Sequence, residues 1–229
     1  ADDNILISPL SIHTALNMAV NGASGTTRDQ MLETMHSADW SIDQLNEEQQ
    51  QWRLLLREQS GHPSLIEANG FFKDPGRINA KESFEQAIAS YYNADIQSYD
   101  FSKPGTKDEI NQWVASNTQE KIEQIVEEIK SNDIAFLINT IYFQSDWARG
   151  FNQDLTYEDN FTLPDDQSVR VDYVNGDDRF NIYESESFWS VDLPFRDSTY
   201  SLTLLKPKDD VQFVQYWIKG LTDAFIENM

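Results

Sequence analysis

Cysteine is absent from the 229 residues. That excludes a disulfide framework, a thiol nucleophile and any metal site built on thiolates, and it leaves the redox compartment open. Histidine is scarce, at three residues (His13, His36 and His62). None stands in an H-E-x-x-H pattern, so a zincin-type metal site is excluded. No G-x-S-x-G occurs, which removes the strained nucleophile elbow of the α/β-hydrolases. Basic side chains are few: 17 Lys and Arg stand against 39 Asp and Glu, for a formal net charge of −22. A field of that sign repels phosphate backbones and anionic lipid headgroups, so neither nucleic acid nor a membrane surface is expected as a partner. The same excess gives a well-solvated surface and fits a salty environment. No apolar run approaches the roughly 18 residues that span a bilayer. The opening Ala1-Asp2-Asp3 is neither an initiator methionine nor a signal peptide and reads as a trimmed start, which an export signal would have preceded.

What is present suffices for a substantial core. With 39% hydrophobic and 12% aromatic residues, the length fits one large domain or two small ones. Ile12, Ala15, Leu16 and Ala19 recur at helical spacing and predict a helix over 11–20 with that face inward. Thr27 and Gln30 are spaced as a capping box for a second helix. A third runs over 43–59, with Leu45, Trp52, Leu55 and Leu56 as its apolar face. Beyond the breaker Gly61-His62-Pro63, the pattern predicts a strand over 65–73, a helix over 81–92 and a strand over 97–101. A helix follows over 106–117, with Ile110, Trp113, Val114 and Asn117 on one face. Ile134–Gln144, apolar on both faces, predicts a central strand covered on each side. From Asn160 onward the chain reads mainly as β. Val169, Val171 and Tyr173 alternate, and a hairpin at 196–198 joins two further strands. Two helices, over 209–219 and 221–229, are expected at the end.

The stretch N-I-L-I-S-P-L-S-I-H-T-A-L (Asn4–Leu16) breaks an aliphatic run with two serines and a proline. A nucleophile would need a base. Ser11 and His13 are two residues apart, which on a helix points them about 200° from each other. No catalytic pair forms there, and the abundant carboxylates are not arranged in any recognisable acid–base motif. Gly22–Thr27 lacks the GK[ST] ending of a phosphate loop. The residues indicate neither an enzyme nor a cofactor. Asn4–Ile7 predicts a short buried strand instead, with Ser8 as helix N-cap and Pro9 at the first helical position, where its missing N–H costs nothing. Ser11 is then a second hydroxyl facing the interior. A buried hydroxyl without a partner costs about 1–3 kcal/mol, and Asn139, the lone amide in the most apolar strand, is the partner expected for it.

These residues resemble the serpins. The likeness rests on N-I-L-I-S-P-L-S-I-H-T-A-L followed by N-G-A-S-G-T-T-R-D-Q-M, then A-N-G-F-F (Ala68–Phe72), I-N-Q-W-V-x-x-x-T-x-x-K-I (Ile110–Ile122) and L-I-N-T-I-Y-F-x-x-x-W (Leu137–Trp147). It continues through Phe151, Thr156 and Phe161 to Leu193-Pro194-Phe195. Glu120 and Ser145 stand where the family often has glycine.

The resemblance implies an α+β fold, serpin-like, with helices packed on mixed β-sheets. It implies one partial domain over residues 1–229, lacking the C-terminal strands and the reactive loop. Ser8, Pro9, Ser11 and Asn139 fall in the region called the shutter, and Trp147 and Thr156 in the breach. The helix over 106–117 is expected to lie across the outer face of the main sheet. The function implied is that of a serine-type endopeptidase inhibitor, a suicide substrate whose cleaved loop inserts beside Ile134–Gln144. A non-inhibitory serpin acting as a binding or chaperone-like protein is the alternative. A target serine (or cysteine) protease is the implied partner and the extracellular space the implied location. Heparin is not expected, because Arg77 and Lys81 are offset by Glu82 and Glu85. An open edge at Ile134–Gln144 is expected to drive oligomerisation or pairing with a complementary fragment. Asn160-Phe161-Thr162 also matches a glycosylation sequon.

Overall fold

A computed structural model describes residues 6–58, 64–163, 166–176, 180–196 and 200–208. They form two compact units, divided after Gln144.

The first unit runs α1 (Pro9–Val20), α2 (Gly25–Thr34), α3 (Ile42–Glu58), β1 (Ser64–Lys73), α4 (Glu82–Tyr92), β2 (Asp95–Ser98), α5 (Thr106–Asn117) and β3 (Ala135–Gln144). Its sheet has the order β2-β1-β3, with β1 parallel to β2 and antiparallel to β3. The period of two sorts side chains between two layers. Phe72 and Ile138 join Phe101, Ile110, Val114 and Val126 in a cluster on the α5 side. Phe71 joins Met18, Ile88 and Tyr92 on the other, with Leu137 packed against them. The sheet is therefore sandwiched, as the resemblance implies for α5. Gly70 permits the close approach of α5. A Cβ there would stand 2.6 Å from the Phe72 ring and 3.1 Å from that of Trp113.

Several expectations are corrected. Of the strand expected over Asn4–Ile7, Asn4 and Ile5 lie outside the described residues, and Leu6 and Ile7 are 98% and 66% exposed and belong to no strand. α1 buries Thr14, Asn17, Met18 and Val20, while Ile12 and Leu16 remain exposed. The inward face is thus half polar, with Thr14 and Asn17 beside Met18 and Val20, because α3 presents Asn46 and Gln49 to it. α3 leaves Trp52 and Leu55 exposed for the same reason. Thr27 and Gln30 do not cap α2: Gly25, with φ at +56°, opens that helix three residues early, and Ser24 makes no side-chain cap bond. A capping box does form before α3. The Ser41 Oγ accepts from the Gln44 N–H at 3.2 Å, and the Gln44 Oε1 accepts from the Ser41 N–H at 2.9 Å. β2 begins and ends earlier than expected, because the Phe101 N–H turns to the Asp74 carboxylate at 3.1 Å and leaves the ladder. β3 is not central among the described residues. It pairs with β1 along its whole length and has no strand on its other side.

The second unit holds β4 (Asn152–Thr162) and β5 (Ser168–Asn175), an antiparallel pair, and β6 (Asn181–Glu184), β7 (Phe188–Pro194) and β8 (Ser201–Pro207) in a separate three-stranded sheet. The two helices expected over 209–219 and 221–229 lie outside the described residues.

Candidate functional site

Ser8 takes an extended conformation as the α1 N-cap, with Pro9 directly inside the helix. The Ser8 Oγ accepts from the Ser11 N–H at 3.3 Å and donates to the Ser11 Oγ at 3.0 Å. Both serines are satisfied locally, and Ser8 is exposed. α1 packs against β3, yet among the described residues no hydrogen bond joins either serine to Asn139.

The Asn139 amide points elsewhere. Its Nδ2 donates to the Asn69 Oδ1 at 2.8 Å and, more weakly, to the Glu67 carboxylate at 3.3 Å. The register explains this: Asn69 stands directly opposite Asn139 across the β1–β3 ladder. Directly opposed side chains on one sheet face lie about 4.5–5.5 Å apart at Cβ, the natural reach of two amides.

From Asn69 a polar seam continues through the buried interior. The Asn69 Nδ2 donates to the Tyr92 carbonyl at 2.8 Å, satisfying a last-turn acceptor of α4 that the helix leaves open. The Tyr92 hydroxyl donates to the Asn46 Oδ1 at 2.7 Å. Asn46 and Asn21 exchange amide bonds at 2.9 Å in both directions, and the Asn21 Nδ2 also reaches the Asn17 carbonyl at 2.8 Å. The Asn17 Nδ2 donates to the Gln49 Oε1 at 3.0 Å, and the Gln49 Nε2 to the Thr14 Oγ1 at 3.1 Å. Thr14, Asn17, Asn46, Gln49, Asn69 and Tyr92 are all buried. The seam thus links β3 through β1, α4 and α3 to α1. Burial pushes the Tyr92 phenol well above its ordinary value. Two buried acceptors, the Oδ1 atoms of Asn17 and Asn139, have no partner among the described residues.

Of the residues expected to act together, the structure joins Ser8, Pro9 and Ser11 with one another and sends Asn139 to a different set. The seam was missed, although its signal is legible: Thr14, Asn17 and Asn21 fall at helical spacing along α1, as do Asn46 and Gln49 along α3. Trp147 and Thr156 lie in the second unit. The Trp147 ring stacks on Phe195, with centroids 4.7 Å apart and planes within 11°, and meets Phe151 edge-on at 5.9 Å. Trp147 also bridges Phe195 through its backbone. Thr156 is half-buried on β4, where the register with β5 shifts between Asn152 and Tyr157.

Comparison with known proteins gives a consistent answer. A family profile described as "Serpin (serine protease inhibitor)" matches residues 1–229. Serpin-Z1C of Triticum aestivum is 29% identical over 217 residues, covering 91% of this chain and 54% of that protein. The plasma serine protease inhibitor of Mus musculus is 26% identical over 230 residues, covering 98% of this chain and 56% of that protein. The native-state crystal structure of the thermophilic serpin Tengpin superposes with a TM-score of 0.88 at 31% identity, covering 97% of this chain and 56% of that one. The chain spans about half the length of the curated relatives it matches.

Proposed function

The chain belongs to the serpin family, and from that premise we propose that the whole protein is a suicide-substrate inhibitor of a serine (or cysteine) endopeptidase. The family places it in a protease-inhibitor superfamily and not among the enzymes. Serpins generally insert a reactive loop into their large sheet. One observation carries that reading here: the ten-residue strand β3 is paired on one side only among the described residues. An antiparallel strand aligned with β1 aims alternate N–H and C=O groups away from it, so this edge is a template for an added strand.

In this reading Ser8, Pro9, Ser11 and Asn139 form the shutter. The local Ser8–Ser11 pair fixes the start of α1 against the sheet, and Asn139 holds the seam to β3. Trp147 and Thr156 form the breach, with the stacked Trp147–Phe195 pair as its rigid part. The inhibitor acts outside the cell, in keeping with a relative named for plasma.

The test is incubation of the whole protein with trypsin- and subtilisin-like proteases, followed by denaturing electrophoresis. A covalent complex that survives SDS supports inhibition. Cleavage without any complex rejects it and leaves a non-inhibitory binding or chaperone-like serpin.

A further inference from the structure

In the first unit a cavity of about 470 Å³ lies between the α1–α2 turn and the start of α4. That size is within the range of about 300–1,000 Å³ typical of small-molecule sites. Its charged lining residues are Arg28 and Lys81, and no carboxylate lines it among the described residues. This is a local reversal of sign in a chain of net charge −22.

The polar lining beside α4 is unspent, whereas Asn21 on the opposite wall is already bonded to Asn17 and Asn46. The Arg28 Nε and Nη2 donate to the Ala23 carbonyl at 3.0 and 2.8 Å, which fixes the guanidinium plane and leaves Nη1 without a partner among the described residues. Lys81, Asn79 and Ser83 line the same space, and among the described residues none has a side-chain hydrogen bond or ion pair. The apolar wall is Phe71 and Phe84, packed edge-to-face with centroids 5.2 Å apart and planes at 87°.

We propose that this cavity binds a small amphipathic anion, with a flat apolar body against Phe71 and Phe84 and one carboxylate, sulfonate or sulfate between Arg28 and Lys81. A planar guanidinium held by its own backbone contact is preorganised to receive such a group. Polyanions fit poorly, because Asp29 and Glu82 adjoin the two cations in sequence and add negative charge nearby. The acidic remainder of the chain does not forbid a single charge. Exposed charges farther than about 8 Å are largely screened at physiological salt.

The test is calorimetric titration of the full chain with naphthalene-1-sulfonate, in parallel with the neutral naphthalene-1-methanol. The same titrations follow for Lys81→Gln and for Gly22→Leu. Gly22 lines the cavity, and a Cβ there meets the Phe84 ring at an ordinary 3.4 Å, so the leucine side chain extends into the space. The sulfonate is expected to bind at least about tenfold more tightly than the alcohol. Lys81→Gln is expected to weaken the sulfonate about fivefold, the effect of one exposed charge contact. Gly22→Leu is expected to abolish binding, and its melting curve reports whether it still folds. Should it not fold, the sulfonate–alcohol comparison and Lys81→Gln decide alone. No sulfonate binding, equal affinity for the two probes, or retained binding in a folded Gly22→Leu variant each overturns the proposal.

Discussion

Replacing Asn139 with alanine removes the donor that the Asn69 Oδ1 receives at 2.8 Å. Asn69 is only 3% exposed, so water does not replace it. A stranded buried acceptor costs about 1–3 kcal/mol. Part of that is offset, because the Asn139 Oδ1 is itself buried without a partner among the described residues and its desolvation penalty disappears with it. The expected net loss is about 1–2 kcal/mol. Asn69→Ala should cost more, since it strands the Tyr92 carbonyl and leaves the Asn139 Nδ2 with only its weaker bond to Glu67. The double variant then separates the shared term: a coupling energy of about 1 kcal/mol is expected between positions 69 and 139. A parallel cycle between Ser11 and Asn139 should be additive within about 0.3–0.5 kcal/mol, because no hydrogen bond joins them. Urea unfolding of the full chain, followed by circular dichroism and tryptophan fluorescence, gives each value. Strong coupling of Asn139 to Ser11, or none to Asn69, would refute the reasoning.

Three further outcomes are expected. Because burial raises the Tyr92 phenol, the unfolded chain loses this proton near pH 10 while the folded chain retains it; stability is fully present below that pH and falls as the pH rises above it. Tyr92→Phe should flatten this alkaline slope and lower stability at neutral pH by about 1 kcal/mol, through the lost bond to Asn46, both read from urea unfolding between pH 7 and 11. Glu120 adopts a φ of 58°. A left-handed non-glycine residue costs about 1–2 kcal/mol, and glycine returns part of this as unfolded-state entropy, so Glu120→Gly should stabilise by about 0.5–1 kcal/mol in thermal or urea unfolding. The open edge of β3 should make the 229-residue chain self-associate, so gel filtration at increasing concentration should show larger species; a compact monomer at high concentration would count against this.

The fold was legible where pattern and packing agree. α5 occupies Thr106–Asn117 as its periodicity demands, and β3 begins one residue after the expected Ile134, because both bury continuous apolar faces in one cluster. Legibility failed where polar side chains do the packing. The apolar stripes of α1 and α3 predict the inward faces only in part: Leu45 is buried as expected, but Asn17 pairs with Gln49 and Asn21 with Asn46 where Ile12, Leu16, Trp52 and Leu55 were expected. β4 was largely missed because N-Q-D-L-T-Y-E-D-N-F-T is almost wholly exposed and shows no inward alternation. At the candidate site the N-cap chemistry of Ser8 and Pro9 was readable from neighbouring residues alone. The partner of Asn139 was not, because it depends on a register between strands some 70 residues apart.

The central claim is that β3 receives an added strand along its open edge, and hydrogen exchange of residues 135–144 tests it most directly. The whole protein is compared before and after it forms an SDS-resistant complex with a protease. Amides of β3 that point away from β1 should gain protection in the complex, because an inserted strand then accepts their hydrogen bonds. A complex that forms while exchange across 135–144 stays unchanged would contradict the account.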